Sequence, residues 1–168
     1  SAIRMNDSDP GKANAKSQLK LGLLQHNLGY LMRVARNVVM QSSGEFVGDL
    51  GYVTGQITLL GLIAANEGTA QNDLGRALLM RKSQVTGLIQ DLVARGLVER
   101  SAQGADRRFN AVKLTPAGEK AWHQARDRIS RHSASLLVGF SDAERDELLR
   151  LLRKLIATNL QEVDFELD

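Results

Sequence analysis

The 168-residue sequence contains no cysteine, two prolines and few aromatic residues, namely one Trp, two Tyr and four Phe. Without thiols the chain can form no disulfide, no thiolate zinc site and no cysteine-based redox sensor. No run of 18 residues is uninterruptedly apolar, so the sequence predicts no membrane-spanning helix. Residues 1–18 also lack the apolar stretch of a secretory signal. Together these absences predict a soluble, cytoplasmic protein.

The composition is that of a folded globular protein, with 43% hydrophobic and 24% charged residues. The polar residues 1–18 include Pro10-Gly11 and are predicted to form a flexible tail. Because four residues precede Met5, part of this tail is interpreted as vector-derived. Residues 19–168 have the length of a single domain with its own core.

The net charge of +3 is distributed unevenly along the chain. Residues 1–75 carry six charges of each sign, and residues 114–168 carry eight positive and ten negative charges. Residues 76–113 carry eight positive charges against three negative ones, so the positive excess lies entirely in this segment. A localised basic segment is typical of a surface that binds a polyanion. A solvated basic face without a partner is the alternative interpretation.

Hydrophobic periodicity predicts a first helix over residues 19–41. Its apolar residues recur at steps of three and four from Leu24 to Val38. The opposite side of this helix is apolar as well, which favours a helix packed between its own core and a second subunit. A glycine-rich segment, residues 44–55, is predicted to interrupt the helical pattern.

The next segment predicts three short helices, and the last two of them are joined by a tight turn. One helix runs through Ile57 and ends near Asn66, and Thr69 is predicted to N-cap the following one. A turn over residues 79–81 leads into another helix, which is predicted to end at Arg95-Gly96. Two helices separated by about three residues are typical of a helix-turn-helix.

A β-hairpin and two further helices complete the predicted elements. Residues 97–101 and 109–114 alternate apolar and polar side chains around a polar tip, residues 103–108. Thr115-Pro116 predicts a helix start, with Thr as N-cap and Pro at the first helical position. Ser141 and Glu144 have the spacing of a capping box before the last helix.

Helix, turn, helix and hairpin in this order predict a winged helix, whose second helix enters the major groove of DNA. Gln84 can offer a bidentate amide to adenine, whereas Ser83 and Thr86 suit phosphate or single base contacts. Arg81 and Lys82 oppose the dipole of that helix unless a phosphate binds there. An arginine at the hairpin tip suits a narrow minor groove. The residues predicted to contact DNA are Arg81, Lys82, Ser83, Gln84, Thr86, Gln90, Arg107 and Arg108.

Four fragments in this order resemble the MarR family of winged-helix transcriptional regulators. They are Leu74–Thr86, Leu92–Arg100, Asp106-Arg107-Arg108 and Lys113–Gly118. The resemblance covers about residues 20–160, and its most specific part is Asp-x-Arg followed by Leu-Thr-x-x-Gly. It implies a mainly α-helical fold with a small antiparallel hairpin. The DNA-binding lobe would span about residues 54–115, and helices at about residues 19–41 and 116–163 would form a dimerisation lobe.

The resemblance also implies function. It implies a homodimer on a palindromic double-stranded operator and repression relieved by a small aromatic or phenolic ligand. Asp106 matches the residue that braces the wing, and Arg108 matches the arginine inserted in the minor groove. His26, Tyr30 and Arg33 are candidates for the ligand crevice, with packing at the subunit interface as the alternative.

The sequence departs from the family pattern at three positions of the helix-turn-helix. Leu79 stands where the family often has Gly, Arg81 where a cap residue is common, and Gly87 where a basic residue is common. These departures affect the expected operator sequence and affinity rather than the expected fold.

No residues suggest catalysis, because the chain has no phosphate-binding glycine loop, no His-Glu-x-x-His and no nucleophile elbow. The three histidines lie in separate predicted helices without cysteine partners, so no metal site and no cofactor are predicted. The alternative function is a winged-helix module that binds a ligand or a protein, as an antirepressor does, without touching DNA.

Overall fold

The computed structural model describes residues 19–101 and 111–160. It is mainly helical with a small antiparallel sheet, which confirms the predicted fold class. The helices are α1 (Leu28–Val47), α2 (Gln56–Ala65), α3 (Gln71–Ala77), α4 (Lys82–Ala94), α5 (Pro116–Leu136) and α6 (Asp142–Asn159); the strands are β1 (Thr69–Ala70), β2 (Val98–Ser101) and β3 (Ala111–Leu114). Short 3-10 helices cover Gly22–His26 and Gly48–Leu50.

The predicted hairpin is confirmed, and a third strand that the sequence did not predict joins it. The sheet has the order β1-β3-β2, with both pairs antiparallel. Val98 pairs with Leu114 across the hairpin, and Thr69 pairs with Val112 on its other side. The prediction that Thr69 caps α3 is therefore wrong. Thr69 is paired in the sheet, and the N-cap position falls to Ala70, whose methyl side chain can accept no hydrogen bond.

The hydrophobic core lies among α2, α3, α4 and the sheet. Its fully buried members come from every one of these elements: Leu59, Leu60, Ile63, Leu74, Val85, Ile89, Leu92, Val98 and Val112. Trp122 of α5 packs against this core and lies close to Gly61 of α2. The helix-turn-helix and the strands of the hairpin thus share one core, which fixes the position of α4 relative to β2 and β3.

The first helix differs from its prediction at both ends. Asn27 has an extended backbone and its side-chain Oδ1 accepts a hydrogen bond of 2.8 Å from the backbone N–H of Tyr30, so α1 begins at Leu28. At the other end, α1 continues through the exposed Gly44 to Val47. Apolar periodicity identified the helix, but its first residue depends on the cap at Asn27, and its last residue depends on the helix continuing through Gly44.

The chain consists of two compact units, one that ends at Val38 and one that begins at Val39. The boundary lies inside α1. The core, the sheet and helices α2 to α6 belong to the second unit. Within the described residues, no helix has both the length and the apolar character needed to span a membrane.

Candidate nucleic-acid interface

The turn before α4 is held by two backbone hydrogen bonds that close the end of α3. The N–H of Leu79 donates to the carbonyl of Arg76, and the N–H of Met80 donates to that of Gly75, both at about 3.0 Å. This is a Schellman arrangement, which requires a left-handed residue after the helix. Leu79 occupies that position with φ of +51° and a side chain 68% exposed. A non-glycine residue here is strained by about 1–2 kcal/mol.

Helix α4 has the two faces that the sequence predicts. Val85, Ile89 and Leu92 are buried, and Leu88 is half-buried. Among the residues predicted to contact DNA, five are exposed: Arg81, Lys82, Ser83, Gln84 and Gln90. An exposed polar face on a helix anchored by a buried apolar face is the arrangement that a recognition helix requires.

Thr86 lies differently from the other predicted contact residues. It is half-buried, and its hydroxyl donates to the carbonyl of Lys82 at 2.8 Å. The same oxygen accepts a hydrogen bond of 2.6 Å from the Nε2 of Gln71. The predicted contact of Thr86 with DNA stays a prediction, but its hydroxyl is engaged within the protein.

Gln84 has a local role that its sequence position alone did not indicate. Its Oε1 accepts a hydrogen bond of 3.2 Å from the backbone N–H of Arg81, as the N3 residue of a capping box does. The Arg81 side chain can only donate, so it cannot complete such a box. A bidentate contact of Gln84 with adenine remains a prediction and requires this hydrogen bond to break.

Two buried glutamines that sequence reasoning missed tie α4 to its surroundings. Gln71 at the start of α3 bonds to Thr86 and accepts a hydrogen bond of 3.2 Å from Nη1 of Arg100 in β2. Gln56 at the start of α2 donates to the carboxylate of Asp91 in α4. Neither could be found from periodicity, because each partner is distant in sequence. The signal in the sequence that could have identified both glutamines is a polar residue at a position where the helix otherwise faces the core.

The base of the hairpin carries an ion pair and a buried helix start. Nζ of Lys113 in β3 lies 2.9 Å from a carboxylate oxygen of Glu99 in β2. The hydrogen bond with Glu99 raises the pKa of Lys113 above its ordinary value. Thr115 accepts from the N–H of Gly118 at 3.0 Å, which confirms the predicted cap of α5. The predicted sites Asp106, Arg107 and Arg108 lie outside the described residues.

A cavity of about 490 Å³ lies beside the helix-turn-helix. Its apolar lining includes Leu79, Met80, Val85 and Leu160, and its cationic lining is Arg76 and Lys82. None of the described residues that line it is acidic. A cavity of this size with an apolar interior and a few polar groups suits a small organic molecule, and this lining favours an anionic one.

The residues predicted to line a ligand crevice lie elsewhere. His26 ends the first 3-10 helix, whereas Tyr30 and Arg33 lie in α1, and all three belong to the first compact unit. Only Tyr30 is half-buried. None of them lines the cavity, so their predicted role stays a prediction.

The other two histidines both lie in α5, so the prediction that the three histidines lie in separate helices is wrong for this pair. His123 is exposed, whereas His132 is buried and its Nε2 lies 2.7 Å from the hydroxyl of Ser42. Residues 19–101 and 111–160 contain no group of three or more His, Asp or Glu side chains arranged to hold a metal ion.

Comparison with known proteins finds transcriptional regulators that are similar to this chain. A sequence profile of the MarR family matches residues 49–108. A protein of Thauera aromatica described as a putative transcriptional regulatory protein for the hcr operon is 27% identical over 140 residues, which is 83% of this chain and 84% of that protein.

Solved structures of transcriptional repressors are also similar to this chain, and the similarity covers nearly their whole length. The transcriptional repressor CouR bound to a 23-mer DNA duplex is 28% identical and superposes with a TM-score of 0.77 over 83% of this chain and 99% of that one. CouR bound to p-coumaroyl-CoA is 26% identical, with a TM-score of 0.71 over 85% of this chain and all of that one.

Proposed function

We propose that this chain, whose residues 49–108 match the MarR family profile, is a homodimeric transcriptional repressor of a palindromic operator, released by a small-molecule ligand. The observation that carries the proposal is the exposed face of α4, which presents Lys82, Ser83 and Gln90 on a helix anchored in the core. A helix of this kind fits the major groove, which is about 12 Å wide. Neither an enzymatic step nor a cofactor belongs to the proposal.

Exposed apolar side chains support the homodimer. In α6, Leu149, Leu151 and Ile156 are between 38% and 48% exposed, and α1 exposes Leu31 and Val38 similarly. Leu149 and Ile156 are seven residues apart, as are Leu31 and Val38, so each pair shares one helix face. Exposed apolar faces on two helices are typical of a protein–protein interface. In a dimer each α4 would meet one half-site, with half-sites about 10 bp apart.

Binding to DNA upstream of the gene, measured by fluorescence anisotropy over a range of salt concentrations, tests the proposal. Lys82→Gln should weaken binding, because it removes a phosphate contact from each subunit. The slope of log Kd against log salt should fall by about 0.9 for each phosphate that the variant no longer neutralises. Arg108→Ala tests the hairpin-tip prediction in the same way.

Lys154→Gln is the matched control, since Lys154 is an exposed lysine on α6. It should change neither the affinity nor the slope. If wild-type protein binds neither the upstream DNA nor any duplex selected from a random pool, the antirepressor-type module becomes the better interpretation. If Lys82→Gln and Lys154→Gln behave alike, α4 is not the contacting helix.

The cavity beside the helix-turn-helix supports the response to a ligand. Its cationic and apolar lining suits an anionic aromatic compound such as an aromatic carboxylate. The p-coumaroyl-CoA bound by CouR is also aromatic and anionic, with its negative charge on the CoA phosphates. Lys82 lines the cavity and also lies on the predicted DNA-binding face. A bound anion would therefore compete with DNA phosphate for this lysine. A change in the spacing of the two α4 helices is the other route to release.

Release of a fluorescent operator by 4-hydroxycinnamate or p-coumaroyl-CoA tests the ligand site. Arg76→Gln should raise the concentration needed for half-release several-fold, because it removes a cation from the cavity. Arg131→Gln, an exposed arginine of α5, is the control and should have no effect. Equal responses of both variants would place the ligand elsewhere, with His26, Tyr30 and Arg33 as the next residues to substitute.

A further inference from the structure

The hydroxyl of Thr86 is fully directed by its neighbours in the protein. Its oxygen receives a hydrogen bond from Nε2 of Gln71 at 2.6 Å, and its hydrogen is directed to the carbonyl of Lys82 at 2.8 Å. Gln71 is only 6% exposed, although it also contributes to the lining of the cavity beside the helix-turn-helix. Thr86 therefore has no hydroxyl hydrogen left for a base.

The direction of these hydrogen bonds is set by Arg100. A guanidinium group can only donate, so Oε1 of Gln71 must accept the 3.2 Å bond from Nη1 of Arg100. The amide group of Gln71 then presents its NH₂ to Thr86, and the Thr86 hydroxyl must donate in the other direction, to Lys82. The chain Arg100 to Gln71 to Thr86 thus has one polarity, which starts in β2 and ends in α4.

Thr86 is half-buried, and the methyl group is the part of its side chain that these hydrogen bonds leave unengaged. We propose that Thr86 reads the operator through this methyl group and selects thymine, whose C5-methyl group is the apolar feature of the major groove. Gln71 and Arg100 act as positioning residues that keep the hydroxyl engaged. This inference rests on the proposed function, because it requires α4 to lie in the major groove.

The test removes single methyl groups from the DNA. A duplex is first selected from a random pool, and each thymine is then replaced by deoxyuridine, which differs only in lacking the methyl group. We expect one thymine in each half-site to be sensitive, with an affinity loss of about fourfold for each methyl group removed. The other thymines should respond weakly.

Two substitutions of Thr86 separate its methyl group from its hydroxyl. Thr86→Ser keeps the hydroxyl but lacks the methyl group. It should bind the thymine duplex as weakly as wild type binds the deoxyuridine duplex, and its affinities for the two duplexes should be equal. Thr86→Val keeps the methyl group, and it should retain the discrimination. Because Thr86→Val leaves Nε2 of Gln71 without its partner, its folding is checked by thermal melting and its affinity is measured well below the melting temperature.

The positioning role is tested by the ratio of affinities for the two duplexes. Arg100→Met removes the hydrogen bond that holds Gln71 in place, so Gln71 should no longer fix the Thr86 side chain and the ratio should fall towards one. Arg100→Lys keeps a donor and should preserve the ratio. If Arg100 acted only by attracting phosphate, Arg100→Met would weaken both duplexes equally and leave the ratio unchanged. That result would overturn the positioning role.

The outcomes also separate this inference from the proposed function. Selection of a duplex in which no thymine responds to deoxyuridine would refute the methyl contact and leave DNA binding intact. A second result would also refute the methyl contact. If removing the amino group of a cytosine or an adenine weakens binding of wild type but not of Thr86→Val, the remaining lone pair of the Thr86 hydroxyl oxygen contacts that base. Failure to select any duplex would overturn both proposals.

Discussion

At the scale of single residues, Gly118 shows how closely the hairpin and α5 approach each other. A β-carbon added at this position would lie 1.9 Å from the carbonyl oxygen of Leu97. The contact is with backbone, so no side-chain rotation can relieve it. The glycine of the Leu-Thr-x-x-Gly pattern is therefore required by packing at the start of α5, next to the cap at Thr115.

Gly118→Ala is predicted to reduce the free energy of unfolding by about 3 kcal/mol, because α5 must move away from Leu97. Gly87→Ala is the matched control in α4, where nothing lies within 4 Å of an added β-carbon. It should raise the free energy of unfolding by about 1 kcal/mol through helix propensity. Urea denaturation at one protein concentration measures both, and equal stability of the two variants would contradict the packing argument.

Leu79 gives a second prediction at this scale. Leu79→Gly should raise the free energy of unfolding by about 0.5–1 kcal/mol, since the left-handed strain of a non-glycine residue exceeds the added flexibility of glycine in the unfolded chain. The side chain is 68% exposed, so little burial is lost. Leu79→Ala keeps a β-carbon in the same conformation and should give no gain. A gain of equal size from alanine would show that the exposed leucyl group, rather than backbone strain, is unfavourable.

At the scale of elements, local signals predicted most helix ends that depend on a cap. Ser141 and Glu144 form the capping box that their spacing predicts, with the N–H of Ser141 donating to the carboxylate of Glu144 at 2.8 Å. Ser141→Ala should lower the free energy of unfolding by about 1 kcal/mol. The comparison with Ser130→Ala, an exposed serine inside α5, separates the loss of a cap from the general effect of the substitution.

The same cap has a pH dependence. Hydrogen bonds from the backbone and then from the side chain of Ser141 lower the pKa of Glu144. Because the pKa of this carboxyl is lower in the folded state, its contribution is complete above its unfolded pKa and is lost as the pH falls through the folded value. Ser141→Ala removes only the side-chain bond, so the pKa of Glu144 should rise part of the way. NMR titration of Glu144 measures this, and an unchanged pKa would assign the whole shift to the backbone bond.

Elements that depend on partners distant in sequence were predicted less well. Thr69 has the composition of a helix cap, but pairing with Val112 places it in β1. Gln71 and Arg100 carry no local motif at all, yet they connect α3, α4 and β2 through Thr86. Such contacts form only when the core brings the elements together, so a pattern within one element cannot reveal them.

At the scale of the whole molecule, the proposed dimer gives the final prediction. Ile156→Glu should yield monomers, because it places a charge among the exposed apolar residues of α6. Ala157→Glu adds the same charge one residue later, and helical periodicity turns it about 100° from Ile156, away from the apolar side chains. Sedimentation velocity measures both variants. If Ile156→Glu remains as dimeric as wild type, this face of α6 is not the interface.

Sequence alone determined the order of the helices and of the two hairpin strands, the winged-helix topology and the basic segment, residues 76–113. These features follow from periodicity, caps and turn residues, which act over a few positions along the chain. Only the tertiary structure decided that Thr86 turns its hydroxyl towards Gln71 and that Gly118 lies against Leu97. Both depend on distances between segments that are remote in sequence, and packing of the shared core sets those distances.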